Sequence, residues 1–236
     1  MEALSIAAGI VLSFAIGSIP DGVIVGKLYG GIDIRKHGSG NIGTTNALRQ
    51  MGWIPGLLVM VMDMLKGVLG TFAMMGMLEH LGGIYVGTLY DWGMGLGLLA
   101  ASCGHMFSPW LGFKGGKGIA TSFGGFLVVS PWCAVASLAA FLLLSLITKY
   151  VSVGSLAGAV AYLATTATVY WPHWPLTVVA VVLTALVFWA HRGNLVRLAH
   201  GEESKFRAGS KKTMQMAREE ELAEVEDAIR DSEVNR

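Results

Sequence analysis

Apolar residues run in long blocks through the first 190 positions, broken by glycine, proline or short polar clusters. A helix needs roughly 20 apolar residues to cross about 30 Å of hydrocarbon. On that measure, membrane-spanning helices are predicted at about 3–22, 53–78, 84–107, 118–130, 132–148, 153–171 and 174–190. The fourth is short, since its 13 residues rise only about 20 Å, and 118–147 as one segment kinked at Pro131 stays open. After residue 191 the pattern changes. Residues 214–233 set Met214, Met216, Leu222, Val225 and Ile229 among charges, which predicts an amphipathic helix, solvated or partner-binding, with disorder as the alternative.

Composition agrees with a membrane body. The chain of 236 residues is 53% hydrophobic and 14% charged, with mean hydropathy +0.58. Soluble domains carry about 25% charged residues, and disorder needs high charge with low hydrophobicity. A net charge of +1 leaves no nucleic-acid footprint. Cys103 and Cys133 lie in apolar stretches without metal-ligand spacing, so neither a disulfide framework nor a metal site is expected. The N-terminus has no basic leader and runs into Ser18-Ile-Pro20, which predicts a retained span.

Charge also predicts orientation. Residues 1–191 hold eight Lys/Arg and six Asp/Glu, and residues 192–236 hold nine and ten. Cytoplasmic loops are enriched in Lys and Arg. With seven spans and the N-terminus outside, 16 of 17 basic residues fall on one side. The other side receives 79–83, Pro131 and 172–173, with no Lys or Arg. Six spans would strand the tail outside. The expectation is an all-α polytopic membrane protein of seven transmembrane helices, N-terminus outside and C-terminus cytoplasmic. Residues 1–200 form the membrane domain, and 201–236 form a charged tail. The 32 glycines fit close helix packing.

Polar residues gather on the predicted inner face. The stretch 33–49 interleaves Gly38, Ser39, Gly40, Asn41, Gly43, Thr44, Thr45 and Asn46 with Arg35, Lys36 and Arg49. Glycines let successive backbone N–H groups cup an anion. The composition suits a phosphate, with a flexible connector as the alternative. Gly38, Gly40 and Gly43 spell a dinucleotide fingerprint with Asp63 20 residues on, but no strand precedes them and Asp63 lies within a span. A second cluster, Lys114-Gly115-Gly116-Lys117-Gly118, opens the fourth span as another anion site, or as interfacial anchoring by lysines. His105 is either a hydrogen-bonded structural residue or a base. Ser152, Ser155, His191 and Asn194 fall on the same face. Asp63 and Lys66, three apart, are a structural ion pair or a substrate-facing one.

The inventory narrows the chemistry. No paired-carboxylate cluster for two metals is present. No histidine begins a His-x-x-x-x-Asp dyad, and there is no Gly-x-Ser-x-Gly elbow. What remains is backbone N–H, Arg, Lys, Ser, Thr and His, a set suited to positional and electrostatic catalysis on an activated substrate. The rival class is a small transporter, favoured by the intramembrane charges. The halves show no convincing self-similarity to support it.

Several stretches together resemble the bacterial acyl-phosphate:glycerol-3-phosphate acyltransferase family. They are Gly17-Ser-Ile-Pro20, Gly38-Ser-Gly-Asn-Ile-Gly43, Thr45-Asn46, Arg49, Asp63-Met-Leu-Lys-Gly67, Gly104-His105, Gly112-Phe-Lys-Gly-Gly-Lys-Gly118, Tyr150-Val-Ser152, Ser155, His191-Arg192, Asn194 and Arg197-Leu198. The resemblance implies acyl transfer from acyl phosphate to the 1-hydroxyl of glycerol 3-phosphate, giving lysophosphatidic acid and phosphate, without a cofactor. It places the site on the cytoplasmic side of the bacterial inner membrane. By motif, the 38–46 stretch would hold the acyl phosphate's phosphate with help from Ser39 and Asn46. Lys117 and Arg49 would neutralise phosphates, Lys114, Gly115 and Gly116 would line the second anion site, and Ser155, His191 and Asn194 would bind glycerol 3-phosphate. His105, His191 or a substrate phosphate oxygen would take the hydroxyl proton, the last favoured by the family. Implied partners are the two substrates, the lipid bilayer and, as a candidate, an acyl-phosphate synthase. Thr44 replaces the family's usual Ala, Ala190 and Gly193 replace Arg and Glu near His191, and the tail past about 206 exceeds the usual length.

Overall fold

A computed structural model of the chain describes residues 1–171, 174–206 and 211–234. The predicted connection 172–173 lies outside the described residues. All described regular structure is helical: α1 Glu2–Gly17, α2 Asp21–Val25, α3 Thr44–Met51, α4 Trp53–Met77, α5 Thr88–Met106, α6 Ile119–Val129, α7 Pro131–Thr148, α8 Val151–Val169, α9 Trp174–Ala190, α10 Arg192–Ala199 and α11 Lys211–Val234. Helices therefore occupy all seven predicted stretches. Among the described residues, Glu2–Gly30, Trp53–Gly82, Pro131–Thr148 and Val151–Val169 are long and apolar enough to cross a membrane. α9 and α10, bent by 56°, make a fifth if they count as one span. α5 is diluted by Asp91, His105 and its glycines, and α6 is an apolar helix of only 11 residues. Ser130, extended at φ −157°, separates α6 from α7 and caps α7, accepting from Cys133 N at 3.4 Å.

The chain divides into two compact units, Met1–Pro20 with Val61–Phe206, and Asp21–Met60 with Arg207–Arg236. In the first unit, many large apolar side chains face outward, and small residues line several of the helix contacts. α1 buries Ser5, Gly9, Ser13 and Gly17, spaced by four, so they line one face. That face meets α4 and α5: a β-carbon on Gly17 would strike the Ala101 carbonyl, and Ser13 Oγ donates to Gly70 O at 2.7 Å. Gly67 and Gly124 let α4 and α6 touch backbone to backbone, and Gly154 and Gly158 do the same for α7 and α8. Leu142, Leu143, Leu146 and Ile147 stay exposed on α7. Hydrocarbon provides no hydrophobic drive between helices, so close van der Waals contact and interhelical hydrogen bonds must hold them. One apolar core joins Leu98, Phe126, Cys133, Tyr162, Ala180 and Leu183, with Phe126 and Tyr162 stacked at 3.4 Å between centroids.

In the second unit, Ile32, Ile34, Ile42, Ala47 and Met51 form a small buried core. The stretch 33–49, for which a flexible connector is the alternative, makes a 3-10 turn at Ile34–Lys36 and is irregular from there to Gly43. From Thr44 the helix formers Ala47, Leu48, Arg49, Gln50 and Met51 continue as α3. α11 packs on α3. Its Met216, Leu222, Val225 and Ile229 are exposed, while Ala217 is buried. The tail helix thus docks by its acidic side: Glu224 meets Lys36 at 2.7 Å, Glu221 lies 3.4 Å from His37, and Glu221 accepts from Asp33 N at 2.8 Å.

Candidate active site

In the second unit, Gly38 and Gly40 turn with φ of 62° and 68°, a region open to glycine. Asn46, 2% exposed, braces the turn from inside. Its Nδ2 lies 3.2, 3.0 and 2.9 Å from the carbonyls of Ile34, His37 and Asn41, and its Oδ1 accepts from Ser39 N at 3.1 Å. Asn41 Oδ1 accepts from Gly43 N at 2.9 Å, and Gly40 N donates to His37 O. The N–H groups of Ser39, Gly40 and Gly43 therefore shape the turn. Thr44 and Thr45 open α3, Asn46 N and Ala47 N both donate to Gly43 O at 3.1 and 3.2 Å, and Thr44 Oγ1 is buried without a partner. Arg49 stands in the last turn of α3. Arg35 is paired with Asp33, Nε to Oδ1 2.9 Å, and this bond holds the Asp33 carboxyl below its usual range.

The first unit holds the other predicted residues. Lys117 donates to Asn194 Oδ1, and Asn194 Nδ2 donates to Glu203 Oε1 at 2.6 Å. The same oxygen accepts from Ser152 Oγ at 2.8 Å, and Glu203 Oε2 accepts from Arg197 Nε at 2.8 Å. Burial alone would raise the Glu203 carboxyl, but the donors Asn194, Ser152 and Arg197 outweigh it and hold it low. Glu203 is the residue the sequence reading missed. It follows the turn at Gly201, φ 72°, where the chain folds back over α10. Ser155, one turn from Ser152 on α8, donates to Val151 O at 2.9 Å.

His191 sits past the end of α9, 2% exposed. Its Nδ1 is 2.8 Å from Val187 O, a partner that only accepts, so Nδ1 carries the hydrogen and Nε2 keeps its lone pair. Burial and nearby Lys117 push its pKa down to about 4. A neutral imidazole with an acceptor nitrogen suits a substrate hydroxyl.

His105 ends α5, 4% exposed, with Nδ1 3.2 Å from Asp63 Oδ1. Its Nε2 abuts Gly116, where a β-carbon would overlap it. The structure thus joins Lys117 to Asn194 and His105 to Gly116. Lys114 is exposed in the turn before Gly115.

The family model of glycerol-3-phosphate acyltransferases matches residues 7–201. A glycerol-3-phosphate acyltransferase of Thermus thermophilus is 41% identical over 196 residues, covering 83% of this chain and 92% of the relative. One from Trichlorobacter lovleyi is 43% identical over 198 residues, covering 83% and 95%. Among solved structures, the glycerol 3-phosphate form of an integral membrane glycerol 3-phosphate acyltransferase aligns with TM-score 0.76 and 33% identity, over 86% of this chain and 96% of that one. Its lysophosphatidic acid form gives 0.73 and 32% over the same shares. The chain belongs to the glycerol-3-phosphate acyltransferase family.

Proposed function

We propose that this glycerol-3-phosphate acyltransferase takes its fatty acyl group from acyl phosphate and releases 1-acylglycerol 3-phosphate (lysophosphatidic acid) and inorganic phosphate. The observation that carries this reading is the Lys117–Asn194–Glu203 cluster beside neutral, buried His191. It offers a cation for a phosphate and an acceptor for a hydroxyl. An acyl phosphate is a mixed anhydride, so phosphate leaves readily and no acyl-enzyme is needed.

The 1-hydroxyl oxygen attacks the acyl carbonyl carbon. The ester C–O bond forms, the carbonyl carbon to phosphate-oxygen bond breaks, and the hydroxyl proton passes to a substrate phosphate oxygen. Lys117 neutralises charge on phosphate, while His191, Asn194 and Ser155 orient glycerol 3-phosphate. The turn at Gly38, Ser39, Gly40, Asn41 and Gly43, braced by Asn46, with Thr45 and Arg49, takes the phosphate of the donor. Lys114 adds charge beside Gly115 and Gly116. His105, closed in by Asp63 and Gly116, has a supporting role.

The reaction runs on the cytoplasmic face of a bacterial inner membrane. Residues 1–200 are the membrane domain, with seven spans and the N-terminus outside, and 201–236 are a cytoplasmic tail open to an acyl-phosphate synthase. Purified protein in lipid should release phosphate from palmitoyl phosphate only when glycerol 3-phosphate is present. Uptake of glycerol 3-phosphate into vesicles without such release would support a transporter instead.

A further inference from the structure

Three ionisable side chains are buried together outside the Lys117–Asn194–Glu203 cluster. Asp63 and Lys66 on α4 are 2% and 4% exposed, and His105 on α5 is 4% exposed. Asp63 Oδ1 lies 2.8 Å from Lys66 Nζ and 3.2 Å from His105 Nδ1, and Lys66 Nζ also donates to Ile19 O at 2.8 Å. Buried ion pairs seldom improve on well-packed apolar residues, and charges within spans are costly. Helix packing alone does not account for keeping this trio in a bundle already joined by glycine contacts.

The far edge of His105 shows what the trio touches. Nε2 abuts Gly116, so closely that only a glycine fits. Two backbone bonds reinforce the contact, Gly116 N to His105 O and Gly115 N to Met106 O, each 3.0 Å. The next residue is Lys117, and Gly118, φ 74°, then opens α6. A continuous path of contacts therefore runs from Asp63 through His105 and Gly116 to the residue that reaches Asn194.

We propose that Asp63, Lys66 and His105 are positioning residues that seat the Gly115–Gly116 turn and thereby fix where the Lys117 ammonium stands. The proposal rests on the role of Lys117 given above. The ion pair anchors the carboxylate, the carboxylate orients the imidazole, and the imidazole sets the height of the turn. A lysine placed by a rigid turn loses less freedom when it meets a phosphate than one on a mobile loop.

The test is a pair of mutant cycles on the full-length protein in lipid, with enzyme in excess so that slow variants stay measurable. His105→Gln should lower kcat/KM about ten- to a hundred-fold in the parent, but less than about two-fold in a Lys117→Ala background, because groups acting through one residue are not additive. Asp63→Asn should repeat the pattern if His105→Gln proves unstable. Gly116→Ala should be nearly inactive alone, and His105→Ala beside it should raise the melting temperature and bring activity up to, but not above, that of His105→Ala alone, by vacating the space the methyl needs. Equal fold losses with and without Lys117, or no recovery in the double variant, would overturn the brace. A parent chain without acyl transfer overturns the proposed function instead, and the melting temperatures of the Gly116→Ala pair then decide the contact.

Discussion

Glu203 is a single carboxylate that fixes three donors, and its neighbourhood sets the strongest expectations at the level of residues. Glu203→Gln should keep the fold but release Arg197 and loosen Asn194, lowering kcat/KM by about ten-fold, since bonds to a charged acceptor contribute about 1.5–3 kcal/mol. Because its folded pKa is lowered, its stabilising effect is present above the ordinary glutamate value and fades as pH falls below it. The depressed pKa of His191, about 4, means folding resists its protonation. Stability should therefore decline from about pH 6.5 downward, and a His191→Gln variant should show a flatter melting profile between pH 7 and pH 5. The acid limb of kcat/KM should lie near the second phosphate pKa, about 6, and should persist in His191→Gln. A limb near pH 4, lost in that variant, would make His191 the base. The sequence singled out Lys117, His191 and Asn194 because unusual residue types cluster in short motifs. It hid Glu203, which looks like any other carboxylate in a tail with ten. Nor does the motif show that the Asn46 amide is engaged by the carbonyls of Ile34, His37 and Asn41, since those bonds form only once the turn is folded.

At the level of elements, the breaks between apolar blocks located the seven main helices within a few residues, because glycine, proline and polar clusters interrupt both the apolar run and the helix. α3 was hidden because glycine, threonine and asparagine at its start resemble a loop. The docking side of α11 was hidden because an apolar stripe usually packs inward, whereas here carboxylates meet Lys36 and the Asp33 amide. The matched family region stops at residue 201, so α11 is an addition to the shared fold. Truncation after residue 206 should leave turnover within about two-fold, a change under about 0.5 kcal/mol. Proteolysis near Lys36 should become faster. α1 is the converse case: Gly17→Leu should cost at least about 3 kcal/mol, the upper end for overpacking, read as lost monodispersity and a lower melting temperature in detergent.

At the level of the whole chain, the uneven distribution of charge is what predicts orientation. If seven spans put both proposed anion-binding stretches inside, a C-terminal green fluorescent protein fusion should fluoresce and an N-terminal tag should be reachable from outside in intact spheroplasts. A dark C-terminal fusion would reverse the assignment. Composition revealed the membrane body, but not that its helices meet through Gly17, Gly67, Gly124 and Gly154, since glycine is equally at home in turns. That inward placement of the smallest residues inverts the usual map of mutational tolerance. In a water-soluble protein, a saturation scan finds its least replaceable positions at large core residues. Here Leu142, Leu146 and Ile147 should exchange freely with any apolar residue. The narrowest spectra should fall on glycines and serines, where a single added methyl group closes the space a neighbouring backbone already fills.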